Sequence, residues 1–304
     1  MESEKLFGRK YRIQIRDIRI EGSLRCVFKV AKHLKPDPNT VELKIYNLTE
    51  DHRKSLENIP ERPADKSLAD LVSDLTANNM VRIEAGYEDG MSQIYLGEVR
   101  AAHSIQDGSD IITEVTSGDG EKDLQTRRVS IPVGPKASVD TVMGLIVKAL
   151  GCGEGNLSKV LGSIKLSGGA ELFPKGGVIY GSAADELDAL CKAAQLDWSI
   201  QDGKLLILDR GKALAGTALS LSSDTGLIGS PTVDSKGIVT AKTLLIPDLF
   251  PGRSVVFDAK SLKGGYRVEE CSYSGDTHGS EWYIEIKCQL IGDKRELFKA
   301  KGAK

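Results

Sequence analysis

Aromatic side chains are scarce in this sequence: two tryptophans, eight tyrosines and six phenylalanines, 5% of 304 residues. That is too few for the stacking platforms on which sugar binders and single-strand nucleic-acid binders hold their ligands. Basic charge is not in excess either. Lysine and arginine number 41 against 43 aspartates and glutamates, a net charge of −2, so a general nucleic-acid binder is excluded, because it needs a surplus of cations to neutralise phosphates. No apolar run reaches the length that crosses a bilayer. The start, Met1 to Lys5, lacks the basic and apolar regions of a secretory signal. These features lead us to expect a chain that stays in a cytoplasm, with no membrane insertion. The five cysteines, Cys26, Cys152, Cys191, Cys271 and Cys288, are scattered and form no C-x-x-C pair. They sit in apolar-periodic segments, and we expect buried free thiols there.

Reactive constellations are missing as well. His33, His52, His103 and His278 lie far apart, at turns and strand ends, with no H-E-x-x-H or related spacing, so no metal site is assigned. Gly151-Cys152-Gly153-Glu154-Gly155 is the nearest approach to a phosphate-cradling loop. It follows a helical pattern where the dinucleotide motif requires a strand, and Walker A is absent. Glu269 and Glu270 are adjacent on a strand and so point to opposite faces, unlike the facing carboxylates of a glycosidase. Asp185 and Glu186 are accounted for by the dipole of the helix they begin. Trp198 and Trp282 sit in apolar strands, where core packing is expected. We therefore assign no catalytic, cofactor-binding or metal-ligating residue, and no cofactor.

What the chain does contain is strands. Between residues 237 and 290, four segments rich in β-branched and aromatic residues (239–246, 254–258, 266–273 and 281–290) are separated by Pro251-Gly252, Gly264-Gly265 and the run from Gly275 to Gly279. This predicts antiparallel structure closed or nearly closed into a small barrel. An earlier stretch follows the same order. Val81 to Ala85, then a Gly/Asp turn, 93–101, Gln106 to Gly108, 110–116 and Gly118-Asp119 match Val255 to Ala259, Gly264-Gly265, 266–273, Gly275-Asp276, 281–290 and Gly292-Asp293. Identity is slight, and two readings stand side by side: a meander pattern shared by chance, or one barrel type used twice.

The rest of the chain completes the outline. Residues 11–20, 24–32 and 41–46 read as strands, the first with a slip of phase that suggests a bulge. Thr49 caps a short helix to about Asn58, and 66–75 is a second helical segment. Strands at 80–87, 93–102 and 110–117 bring the first unit to about six. Ser138 opens a helix that ends at Gly151, and Ser182 opens another through Ala194. Strands 196–200 and 204–209 flank Asp202-Gly203, a pair suited to the primed turn of a hairpin. Glycine-rich loops lie at 151–155 and 167–177, 219–221 adds a strand, and the basic tail after Asp293 is expected to be mobile. The fold expected is mainly β with an α+β insert. Two antiparallel β-barrel domains, 1–120 and 211–304, flank a helix-plus-hairpin module at 121–210.

Three segments resemble the hub proteins at the tip of bacteriophage tails, the family that includes the baseplate hub of contractile-tailed phages and the hub part of type VI secretion spikes. The first runs from Leu34 to Leu48, with Val81 to Tyr87 and Ile94 to Gly97. The second runs from Gly181 to Trp198 with its hairpin. The third comprises Gly237 to Leu245, Pro251-Gly252, Tyr266 to Val268 and Gly275 to Tyr283. The resemblance implies a structural virion protein of the tail tip, assembled in the host cytoplasm and not an enzyme. It implies a homotrimeric ring whose six barrels adapt a hexameric tail tube to a trimeric spike or central fibre. Tail tube, spike, tape-measure and other baseplate proteins are the partners it implies, with DNA passing transiently through the lumen. The chain stops at Lys304, which suggests a spike on a separate protein, and its mild acidity suits a channel that must not retain DNA. A tail-associated peptidoglycan hydrolase or a carbohydrate-binding module is the alternative.

Overall fold

Alternation of apolar and polar residues builds most of this molecule. The computed structural model describes residues 8–22, 24–60, 62–63, 65–73, 79–162, 164 and 174–291. Strands β1 (Lys10–Ile15), β2 (Ile18–Ile20), β3 (Cys26–His33) and β4 (Asn39–Tyr46) come first. Helices α1 (Glu50–Glu57) and α2 (Leu68–Ser73) then precede β5 (Met80–Tyr87), β6 (Gly90–Asp107) and β7 (Asp110–Asp119). The middle of the chain holds α3 (Glu121–Thr126), β8 (Arg128–Val133), α4 (Val139–Leu150), α5 (Leu157–Val160), β9 (Gly177–Ser182), α6 (Ala183–Ala193), β10 (Leu196–Gln201) and β11 (Lys204–Asp209). Strands β12 (Leu219–Leu221), β13 (Leu227–Val233), β14 (Val239–Leu244), β15 (Ser254–Asp258), β16 (Lys263–Asp276) and β17 (Trp282–Leu290) end the described chain.

Helix signals in the sequence act as expected. Thr49, Ser138 and Ser182 each accept a hydrogen bond from a first-turn backbone N–H, and Gly151 closes α4 in the left-handed region at φ 78°. Asp202 and Gly203, at φ 54° and 78°, form the primed turn between β10 and β11. The phase slip in the first strand marks a two-residue turn and not a bulge. Arg16 adopts φ 56°, and β1 folds back on β2 with Ile15 opposite Ile18. The N-terminal unit accordingly has seven strands, not six. Strands β8, β9 and β13 have no counterpart in the sequence reading. Each is interrupted by Pro or Gly, and Pro231 sits within β13. Residues 165–173 and the basic tail lie outside the described residues.

The expected closed barrels are not found among the described residues. Thirteen strands form one open sheet in the order β13-β14-β17-β16-β3-β4-β7-β6-β5-β1-β2, with β15 and β12 branching from β16. The reason lies in the length of β16. Its first part, Lys263 to Arg267, pairs with β15, and its second part, Glu270 to Asp276, pairs with β3 from the other half of the chain. The edge that could have closed the C-terminal strands on themselves instead joins the two halves. One hydrophobic core follows, running from Ile13, Phe28 and Leu43 to Tyr273, Trp282 and Ile286. A second core gathers α2, α4, α6 and the β10–β11 hairpin around Leu68, Met143, Leu187 and Trp198.

Within the sheet, the same arrangement occurs twice. The order β3-β4-β7-β6-β5 is repeated by β13-β14-β17-β16-β15. Val41, Ser117 and Val99 lie side by side on β4, β7 and β6, as Val239, Cys288 and Val268 do on β14, β17 and β16. The next row inward, Leu43, Val115 and Ala102, matches Ala241, Ile286 and Cys271. Both long strands carry a bulge between these two rows, one residue past Val99 and Val268, at Arg100 and at Glu269. Val81 opposite Gly97 corresponds to Val255 opposite Tyr266, so the weak match between these segments in the sequence falls on equivalent positions. The sixth strand differs: β1 is antiparallel to β5, whereas β12 is parallel to β15.

At the junction, Phe28 lies opposite Gly275 and packs edge-on against Trp282, 5.6 Å between ring centroids. A methyl group on Gly275 would come within 2.2 Å of the Phe28 ring. Gly275→Ala should therefore destabilise the protein by about 1–3 kcal/mol through overpacking. Combining it with Phe28→Leu should recover part of that loss, a coupling readable in a double-mutant cycle of urea denaturation.

Candidate functional site

The functional geometry of this chain is a seam. Strands β3 and β16 pair from His33–Glu270 to Val27–Asp276, and both ends of the seam are reinforced. At one end Leu34 donates its N–H to the Glu269 carbonyl at 2.8 Å, and Lys35 reaches the Glu270 carboxylate at 2.5 Å. At the other, Arg25 grips Asp276 with two hydrogen bonds of 3.2 and 2.7 Å, and Thr277 exchanges bonds with the Cys26 backbone. The fork geometry of Arg25 holds the Asp276 carboxyl below its usual range. Hydrogen bonds from Lys287 and Lys35 pull Glu270 down to about 2.

The tip of the β10–β11 hairpin inserts beside this seam. Asp119 of β7 accepts the N–H groups of Asp202 and Gly203 at 2.6 and 2.8 Å. Asp202 in turn accepts from the Lys32 ammonium of β3 at 2.9 and 3.0 Å and from the Leu96 N–H of β6 at 3.0 Å. Asn39 of β4 donates to the Ile200 carbonyl and accepts from the His33 N–H. The turn thus touches three strands of the sheet, and Ile200 beside it a fourth. Burial, then the neighbouring Asp202 charge, push Asp119 up to about 7. Burial opposes the charge of Lys32, but the Asp202 carboxylate more than offsets it and holds the ammonium above its ordinary range.

Two more buried cations tie the middle of the chain to each half. Arg267, 3% exposed, binds Asp197 at 2.9 Å, Glu269 at 2.6 Å and the Lys212 carbonyl at 3.0 Å. Arg62 binds Asp123 at 2.8 Å and approaches Glu98 at 3.5 Å. Burial raises Glu98, against the pull of Arg62. Glu98 and Arg267 occupy equivalent positions of the repeat with opposite charge, as do Arg100 and Glu269. The sequence reading gave no role to Lys32, Asp119, Arg267 or Arg62. For two of them a signal exists: Lys32 continues the buried phase of Cys26, Phe28 and Val30, and Asp119 that of Val115 and Ser117. A lone charge in the buried phase of a strand implies a partner from elsewhere.

The structure does not bring together the residues weighed for chemistry. His33 is at the seam, where burial lowers its pKa; His52 is on α1, His278 in a turn, and His103 is inside β6 and not at a strand end. Glu269 and Glu270 engage different cations. The Gly151–Gly155 loop lies along β11: Gly153 donates to the Gly203 carbonyl and accepts from Leu205 N–H, and any side chain on Gly155 would collide with the Leu205 carbonyl. Trp198 and Trp282 are core residues. All five cysteines are free and buried, and burial pushes Cys26, Cys152, Cys191 and Cys271 to about 12. No cluster of three or more His, Cys, Asp or Glu able to hold a metal occurs among the described residues. A surface groove of about 540 Å³ beside Leu56, Pro60 and Ala101 presents charges already paired, among them Arg62 with Asp123 and Arg100 with Glu121. This arrangement is suited to holding surfaces in fixed relation.

Comparison with known proteins agrees. The model of the baseplate hub gp41 family matches residues 10–288. The chain belongs to that family. It is a structural component of the phage tail baseplate. In fold the hub chain is similar to the 43 kDa tail protein of prophage MuSo2 from Shewanella oneidensis, with a TM-score of 0.60 at 12% identity over 93% of this chain and 97% of that one. It is likewise similar to a tail protein of Neisseria meningitidis MC58, TM-score 0.58 at 8% identity, covering 93% and 96% of the two chains. The E. coli c3393 protein, a type VI secretion component described as structurally similar to the T4 tail proteins gp27 and gp5, shares the fold at TM-score 0.52 and 8% identity over 93% of this chain and 77% of that chain. No curated protein sequence matches the hub chain.

Two outcomes test the charged anchor. Lys32→Met leaves Asp202 without its cation and should cost roughly 3–5 kcal/mol in chemical denaturation. Asp119 titrates near 3.9 when unfolded and at about 7 when folded, so the native state holds the proton more tightly. Its contribution is complete below about pH 4 and is lost as pH rises through about 7. The urea midpoint of the natural protein should therefore fall between about pH 5 and 8 more than that of Asp119→Asn.

Proposed function

We propose that this hub chain assembles as a homotrimeric ring that joins a sixfold tail tube to a threefold spike or central fibre. The observation that carries this reading is the repeated strand order, matched in register and in the position of its bulge. Three chains with two like units each present six near-equivalent faces toward a hexameric tube. The same trimer remains threefold toward the spike. In this reading residues 1–120 and 211–304 are the two ring-forming units, and 121–210 is the module that braces them. Arg267, Arg62 and the Asp119–Asp202–Lys32 group fix the spacing of the two units, which a ring of constant diameter requires.

Likeness in fold to a type VI secretion component related to gp27 and gp5 supports spike-side partners, with the tail tube, tape-measure and other baseplate proteins on the remaining faces. A net charge of −2 suits a lumen through which DNA passes without being held. The chain acts through shape and not turnover.

The test is the copy number and symmetry of the chain in intact particles. Imaging should show three copies around one axis, each pair of neighbours burying more than roughly 2,000 Å², and a mass near three times 32.8 kDa for the excised ring. A single copy, or six copies in equivalent positions, would overturn the reading.

A further inference from the structure

The β8–β9 ribbon of the insert stands apart from the large sheet, and its two strands pair only with each other among the described residues. One of its faces turns inward, where Val129, Val133 and Ile179 are buried in the second core. The other carries Arg128, Ser130 and Pro132 on β8, opposite Ser182, Tyr180 and Val178 on β9. Of the seven large hydrophobic residues exposed among the described residues, the two most exposed are Tyr180 at 77% and Val178 at 62%. They are neighbours on this one outward face.

Backbone geometry leaves the edge beside them open. Pro132 has no N–H to give, and the Ala183 N–H reaches the Arg127 carbonyl at 3.0 Å. The hydrogen-bonded pairs of the ribbon are therefore 127–183, 129–181, 131–179 and 133–177. Val178, Tyr180 and Ser182, which alternate with them, aim their N–H and C=O groups away from β8. No described strand meets that edge. An open ladder of this kind takes up an extended segment. The outer edge of β8 is blunted by Pro132, so β9 is the side that accepts a strand.

Charge decides which strand fits. Arg128 stands at one end of the face and Lys175 just before the other, both exposed, and neither pairs with a described carboxylate. None of the six outward side chains is acidic. Two copies joined edge to edge would bring Lys175 of each toward Arg128 of the other, and like charges disfavour that pairing. We infer that the open edge of β9 receives an extended segment of another baseplate component, with apolar side chains at alternate positions and carboxylates at its ends. Its apolar side chains cover Val178 and Tyr180, its backbone takes up their outward N–H and C=O groups, and its acidic residues meet Arg128 and Lys175. The inference rests on membership of the baseplate and not on the ring reading, so either can fail alone.

The experiment sets one surface thiol, Val178→Cys, against the five buried native ones and follows its reaction with a maleimide. The purified chain should label freely, and intact particles should lose most of that labelling. Shielding already present in the purified chain would mean that its own residues or a second copy cover the face, and would overturn the inference. Free labelling in particles would do the same. Val178→Pro removes an outward N–H and no bond between β8 and β9, so the urea midpoint should hold while particle assembly is lost. Arg128→Glu combined with Lys175→Glu should lose assembly likewise. Normal particle yield with Val178→Pro would show that no strand is added, and normal yield with the double charge reversal that the partner is not acidic; either result refutes the proposal.

Discussion

The β3–β16 pairing is the constraint on which the rest of this structure depends. A strand longer than its own half of the chain needs takes up a strand from the other half, and two meanders become one sheet with one core. Backbone hydrogen bonds set their relative position, so the two units cannot rotate independently without exposing Phe28, Tyr273 and Trp282 to water. Hydrophobic burial supplies most of the driving force. The ladder and its bulge supply the register, since a one-residue slip would turn each buried side chain outward.

Charge does a different job. Buried ion pairs are modest contributors to net stability because desolvation offsets their attraction, yet they are demanding about geometry. Asp119 receives two adjacent N–H groups of a single turn, and Asp202 receives an ammonium and a backbone amide from two different strands. Only one placement of the β10–β11 hairpin satisfies all of them. Arg267 does the same in one half; at the equivalent position of the other half stands Glu98, which Arg62 approaches, so the charges are exchanged. The α+β insert is thereby registered against both repeats at once.

Much of this could be read from the chain before folding. Alternating strands, the Thr49, Ser138 and Ser182 caps and the Asp202-Gly203 turn depend on local rules, and each was apparent in the sequence. The repeat was faintly visible at Val81 and Val255 because those residues share a buried phase. It was obscured elsewhere, because loops of different length separate the equivalent strands and the core side chains differ: Ser117 stands where Cys288 does, Gly97 where Tyr266 does. Strand β13, with Gly229, Ser230 and Pro231, has the composition of a loop and is a strand only because β14 offers it an edge. Closure was misjudged for a related reason: alternation reports which face of a strand is buried, and says nothing of which neighbour takes its edge. The partners of Lys32 and Asp119 are fixed by long-range topology, so only the oddity of a charge in the buried phase was detectable.

The burial of all five thiols bears on the lifetime of the particle. With thiol pKa values near 12, the reactive thiolate is about one part in 10⁵ at neutral pH, and none of the five thiols lies at the surface to meet another. Burial thus protects this chain from disulfide cross-linking to neighbouring proteins under oxidising conditions.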